Sequence, residues 1–141
     1  MKAVEIKAFG GPEMLELCQR PRPILLPDQI LIKVAYAGVN RPDLLQRKGN
    51  YPVPEDANDL PGLEVSGEVV KTGNAVKNWR NGDRVCALCH GGGYSEYVAV
   101  DEGHAMPVPA GFDMAQAACL PETYITVWGN LFMRGHLKKA E

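Results

Sequence analysis

Two groups of residues have types and spacings that could do chemistry. Cys86-Ala87-Leu88-Cys89-His90 has the pattern of a covalent c-type haem attachment site, and Tyr51 sits in a loop bracketed by Gly49, Asn50, Pro52 and Pro54. Haem attachment needs an oxidising compartment, helical presentation of the two thiols and a second axial ligand. The flanks oppose it: Val85 leads in from an apolar run and Gly91-Gly92-Gly93 follow, so the motif reads as a strand entering a loop, with positions 86 and 89 on opposite faces. A closed zinc site wants four ligands, and Cys86, Cys89, His90 and His104 supply one CxxC knuckle rather than two. His90 and His104 therefore read as surface or packing residues. The glycine triplet does not stand between a strand and a helix, so it lacks the helix N-terminus that cradles phosphate, and no GxGxxG or GxxxxGKS occurs in the chain.

Tyr51 belongs to the stretch from Ala37 to Gly67, AGVNRPDLLQRKGNYPVPEDANDLPGLEVSG, where polar groups gather between two apolar runs. Its phenol can donate a hydrogen bond to a carbonyl or orient a substrate, and it can equally cap the core. Asn40 can hold a carbonyl or a cofactor ribose, or cap the helix that follows it. Glu64, between Leu63 and Val65, is expected to point inward and so to be partnered, by a structural ion pair or for catalysis. Spacing leaves all three open. Arg41, Asp43, Gln46 and Arg47 complete the polar set, and loops on a rigid sheet are where such groups usually act.

The elements that must position these residues are mostly strands. Met1 to Lys7 alternates and ends at Gly10-Gly11-Pro12; Leu15 to Arg20 alternates and is stopped by Pro21, Pro23 and Pro27. Gln29 to Val39 is the strongest strand, with Ile30, Ile32, Val34 and Tyr36 on one face. Pro42, Asp43, Leu44-Leu45 and Gly49 describe a helix of about two turns. Val65 to Lys71 is a further strand, and Arg84 to Leu88 with Tyr94 to Val100 is expected to form a hairpin with a wide glycine tip. His104 to Pro109 is too proline-rich for an interior strand and is expected at an edge. Beyond Gly111 the period becomes helical: Asp113 and Gln116 form a capping-box pattern, Pro121 interrupts, and Glu122 to Arg134 carries an apolar stripe through Ile125, Trp128 and Phe132.

Composition bounds the class. A chain of 141 residues suits one domain, and 45% hydrophobic with 23% charged residues is globular; 15 Gly and 11 Pro point to many turns and a β-rich fold. A formal net charge of −2 gives no electrostatic case for nucleic acid. No apolar run approaches the ~20 residues that cross a bilayer, and the N-terminus alternates rather than forming a signal peptide, so no membrane partner and a cytoplasmic location are expected. Four dispersed cysteines read as reduced thiols.

Taken together, Phe9-Gly10-Gly11-Pro12-Glu13, Ala37 to Asp43 with Arg47 to Tyr51, Pro61 to Gly67, Gly82-Asp83-Arg84-Val85, Gly91 to Val98, and the later Pro121-Glu122 and Thr126 resemble the N-terminal catalytic domain of the medium-chain dehydrogenase/reductase superfamily, in its quinone oxidoreductase branch. The resemblance covers the whole chain. It implies a β-rich α+β fold, a GroES-like, partly open β-barrel with C-terminal helices: residues 1–120 as the catalytic domain, and 121–141 as a helix leading towards a Rossmann domain missing from this chain. It also implies NADPH as cofactor and a small-molecule quinone, or a related activated carbonyl or alkene, as hydride acceptor, in a homo-oligomer. By position, Asn40 and Thr126 would line the nicotinamide and ribose, Tyr51 would face the substrate carbonyl, and Asp43 and Arg47 would shape the cleft. The superfamily's zinc enzymes carry Cys where this chain has Asn40 and His where it has Leu63, and their four-cysteine lobe has no counterpart between Asp83 and Gly93, which implies zinc independence. A 2-enoyl thioester reductase and a GroES-like binding module without turnover are the alternatives. The 141 residues alone are expected to be inactive, to bind NADPH weakly, and to leave the stripe around Trp128 and Phe132 partly uncovered, inviting self-association.

Overall fold

Strand β3 (Gln29–Ala37) carries the sheet because its β-branched residues are covered on both flanks. The computed structural model describes residues 1–138. Lys139, Ala140 and Glu141, the end of the expected connecting segment 121–141, lie outside the described residues. Around β3 the chain lays down β1 (Lys2–Ile6), β2 (Leu15–Gln19), α1 (Arg41–Arg47), β4 (Glu64–Thr72), β5 (Arg84–Leu88), β6 (Tyr97–Asp101), β7 (Ala105–Pro107), α2 (Met114–Ala117) and α3 (Pro121–Val127). β1 and β2 form an antiparallel pair, and the remaining strands form a five-stranded antiparallel sheet in the order β6-β3-β4-β5-β7. An isolated antiparallel bridge, Ala3 to Ser95, joins β1 to the segment leading into β6. β6 and β7 are not hydrogen-bonded to each other, so the barrel is partly open, and the fold is sheet-rich with its helices at the C-terminal end, as expected.

The core is an apolar layer of Ile30, Ile32, Val65, Val69, Val85 and Val98 with their neighbours. β4 is buried at consecutive positions from Glu64 to Gly67, because one face meets this layer and α2 covers the other, where Ser66 Oγ donates to the Met114 carbonyl at 2.5 Å. The face expected from Ile30, Ile32, Val34 and Tyr36 holds only to Val34. A register shift between Val34 and Tyr36 breaks the alternation, and Tyr36 is 54% exposed. Gly67 lies beside this irregularity, and a Cβ there would collide with the Lys33 carbonyl oxygen.

The expected hairpin of Arg84–Leu88 with Tyr94–Val100 is not formed. β5 pairs with β4 and β7, whereas β6 pairs with β3 on the far side of the sheet. The connection runs across the sheet end, where Cys89 N, Gly92 N, Gly93 N and Tyr94 N donate to the carbonyls of Leu63, Leu60, Gly62 and Pro61. Alternation marks a strand but does not choose its partner; the backbone of residues 60–63 satisfies the glycine-rich segment that a hairpin turn would have satisfied internally. The edge position of His104–Pro109 is borne out by β7, which pairs only with β5.

At the C-terminal end the capping box is present: Asp113 Oδ1 accepts from Gln116 N at 2.8 Å and Gln116 Oε1 accepts from Asp113 N at 3.0 Å. The expected helix 122–134 is instead α3 followed by a π-helical turn, Trp128–Arg134. There Asn130 Nδ2 donates to the Thr126 carbonyl, the acceptor that its own backbone N–H would use in an α-helix. The apolar stripe is uncovered as expected, with Trp128 60% and Phe132 42% exposed and their rings 4.8 Å apart.

Ile32→Ala, at a fully buried site in the central strand, is expected to lower the unfolding free energy by about 2–5 kcal/mol, measured by urea denaturation. Gly67→Ala, which presses a methyl onto strand backbone, is expected to cost about 1–3 kcal/mol by the same measurement.

Candidate active site

The local sequence N-R-P-D starts α1 on a defined geometry. Asn40 occupies the N-cap position, proline stands in the first turn, and Asp43 Oδ2 accepts the Asn40 backbone N–H at 2.8 Å. Asp43 is 5% exposed, and its other oxygen accepts from Gly62 N at 3.2 Å. Gly62 has φ +103°, and a Cβ there would lie 2.5 Å from Tyr94 N, so only glycine presents its N–H this way.

Glu64, the first residue of β4, is 2% exposed and holds this corner together. Its Oε1 accepts from Asn40 Nδ2 at 2.8 Å, and its Oε2 accepts from the backbone N–H of Glu122 at 2.9 Å. It therefore joins the N-terminus of α1 to that of α3. The expectation that Glu64 points inward and is partnered is borne out, and both donors are uncharged amides rather than a salt-bridge cation. Gly38 makes room, since a Cβ there would collide with the Glu64 carboxylate.

Beside this network lies a cavity of about 210 Å³, with Gln46, Tyr51, Leu63, Cys89, His90 and Glu122 in its walls. The proline-rich loop after Tyr51 closes one side. It is tied down by Asn58 N donating to the His90 carbonyl at 2.9 Å and by Asp56 Oδ1 lying 3.2 Å from His90 Nε2. The hydrogen bond from His90 holds the Asp56 carboxyl below its ordinary range. Burial, followed by the charge on Glu64, pushes the Cys89 thiol up to about 12, which keeps it protonated and unreactive. Burial likewise raises Glu122, with Glu64 and then Asp43 adding to the shift.

A second, smaller cavity of about 130 Å³ lies between Asp43, Arg47, Pro61 and Tyr94. Among the described residues, Arg47 Nε and the Tyr94 hydroxyl are buried without a hydrogen-bond partner. The Tyr94 phenol lies beside the Asp43 carboxylate, and burial together with that charge raises its pKa strongly.

The structure thus brings only some of the expected site residues together. Tyr51 and Gln46 share the larger cavity; Asp43 and Arg47 line the smaller one; Asn40 supports Glu64. Thr126 is exposed on α3, one helical turn beyond Glu122 and on the same side of the helix. Cys86 and Cys89 open onto different spaces, Cys89 onto the Tyr51 cavity and Cys86 onto an apolar groove beside Phe112 and Trp128. Among the described residues no three His, Cys, Asp or Glu side chains are grouped to hold a metal ion. The sequence reading gave His90 and Glu122 no role in a cavity. Glu122 entered the sequence reading as part of the Pro121-Glu122 motif of the resemblance and as an acidic residue directly after the helix-starting proline, which reads equally as a complement to the helix dipole.

Residues 26–110, more than half of the chain, match the alcohol dehydrogenase GroES-like domain. The chain is 33% identical over 144 residues to the quinone oxidoreductase of Rattus norvegicus, covering all of this chain and 44% of that protein. It superposes on the crystal structure of the human synaptic vesicle membrane protein VAT-1 homolog-like protein with a TM-score of 0.89 at 31% identity, covering 99% of this chain and 45% of that one. For the Escherichia coli quinone oxidoreductase complexed with NADPH, the TM-score is 0.82 at 30% identity, with 93% and 40% covered. The chain spans less than half the length of these relatives. The match over residues 26–110 and these likenesses lead to one conclusion: the chain belongs to the alcohol dehydrogenase GroES-like domain family.

Proposed function

We propose that this chain is the catalytic-domain part of an NADPH-dependent quinone oxidoreductase that works without zinc. The observation that carries the reading is the Tyr51 cavity: a small, mostly apolar space with Tyr51, Gln46, Asn58, His90 and Glu122 as the polar residues in its walls, set against the fixed N-termini of α1 and α3. Residues 1–120 would form the catalytic unit and 121–141 the passage to a nucleotide-binding domain, in a cytoplasmic homo-oligomer.

The residues present suit one end of a dinucleotide. Thr126 offers an exposed hydroxyl one turn from the cavity, and Asn40 offers a carboxamide whose Nδ2 is held by Glu64. A pyrophosphate needs a glycine-rich turn at a helix N-terminus, which the sequence lacks, so the other end must be held elsewhere. When bound, reduced nicotinamide supplies hydride. The protein's part is orientation: Tyr51 donates to the acceptor carbonyl, Leu63 and Val53 exclude water, and the Glu64 bridge keeps α1 and α3 at a constant spacing. The zinc-free reading is supported by the donor set, since Leu63 has no ligating atom and the Asn40 amide nitrogen is committed to Glu64.

For the complete protein, oxidation of NADPH by a benzoquinone tests the reading directly, and turnover with enoyl thioesters but not with quinones would redirect it. Tyr51→Phe is expected to lower kcat/KM about 10-fold, the loss of one transition-state hydrogen bond, with the melting temperature unchanged. Asn40→Ala strips one donor from a buried carboxylate and is expected to cost about 1–3 kcal/mol of stability in denaturant titration, together with activity.

A further inference from the structure

We propose that Glu122 is the acid that protonates the reduced substrate in the Tyr51 cavity, while Tyr51 orients the same oxygen. This rests on the quinone reductase reading above. Glu122 stands in the first turn of α3 behind the buried Pro121, and its backbone N–H is bonded to Glu64 Oε2 at 2.9 Å, so its Cα cannot drift from the cavity wall. Glu122 shares that wall with Tyr51 and His90. Among the described residues its carboxyl has no ion pair and no hydrogen bond, unlike Asp43 and Glu64, whose oxygens are all engaged. It is therefore the carboxyl at this corner left for a ligand.

The groups that face it set its charge. From β4 comes the Glu64 carboxylate, from α1 the Asp43 carboxylate, from the segment after β5 the neutral Cys89 thiol and His90, and from the proline-rich loop the Tyr51 phenol. Among the described residues that line the cavity His90 is the one potential cation, and it is already engaged by Asp56. Burial and the two carboxylates push the Glu122 pKa upward, towards the working range of a general acid.

The step balances with a reduced nicotinamide as hydride donor. Hydride brings two electrons and one hydrogen to the quinone. The Glu122 O–H bond then breaks as an O–H bond forms on the substrate oxygen, giving the hydroquinone and a carboxylate, and the carboxylate regains its proton from solvent water at the cavity mouth.

The test measures kcat against pH, with NADPH and a benzoquinone, for the complete protein and for its Glu122→Gln and Glu122→Asp variants, alongside melting temperatures over the same range. The unmodified protein should lose activity as pH rises through the Glu122 pKa. Glu122→Gln should be at least 10-fold slower with that limb gone, and Glu122→Asp should retain the limb. The second readout needs no turnover. Because the folded pKa is raised above the ordinary 4.5, the folded state binds this proton more tightly, so the stability linked to it is complete below about pH 4.5 and is lost as pH rises through the folded value. Glu122→Gln should therefore melt higher than the unmodified protein at pH 8 and no higher at pH 4. If the unmodified protein turns over quinone and Glu122→Gln matches its rate and pH limb, Glu122 is not the acid and the reductase reading survives. If the unmodified protein does not oxidise NADPH with quinone, both fall. Should Glu122→Gln fail to fold, a limb missing from Glu122→Asp overturns the proposal.

Discussion

The structure depends on one buried carboxylate. Glu64 accepts from the Asn40 side chain and from the Glu122 backbone, which fixes the start of β4 against the first turns of two helices distant in sequence. A carboxylate removed from water and given amide donors instead of a cation is stable only while both donors stay in place, because each lost bond leaves a desolvated oxygen. Gly38 and Gly62 are part of the same constraint, one clearing space for the carboxylate and the other turning its N–H towards Asp43.

The electrostatic character of the cavity follows from that bridge. Burial at this corner, reinforced by the nearby carboxylates, raises the pKa of neighbouring groups: the Cys89 thiol becomes an inert hydrophobe, the Tyr94 phenol is locked protonated, and Glu122 gains affinity for its proton. The loop that closes the cavity is held differently, by the His90–Asp56 and Arg20–Asp59 ion pairs near the surface and by a backbone bond from Asn58 to His90. Exposed pairs contribute little and are screened by salt, so this side is the softer boundary and α3 the firmer.

Apolar surface is left uncovered along α3 and the π-helical turn. Trp128 and Phe132 stack on each other and remain exposed, and Tyr124, Phe112 and Met106 line an apolar groove of about 560 Å³ beside them. Surface of this kind marks contact sites, and the relatives with which the chain aligns are more than twice as long.

Local chemistry was legible without the structure. Period-two alternation located β3 and β4, Pro42 with Asp43 announced α1, Asp113 with Gln116 announced α2, and Glu64 was expected to point inward. Each is decided by neighbours a few residues apart, through steric period, capping and desolvation. Which strands pair and which polar groups meet was not legible. β5 and β6 read as a hairpin and ended on opposite sides of the sheet, because the backbone of residues 60–63 competed successfully for the glycine segment between them. Asp43 and Arg47 shared a helix with Gln46 yet face a different cavity, and Glu122 came to Tyr51 only through Glu64. These outcomes rest on contacts between residues dozens of positions apart, and they exist only once the sheet has closed around them.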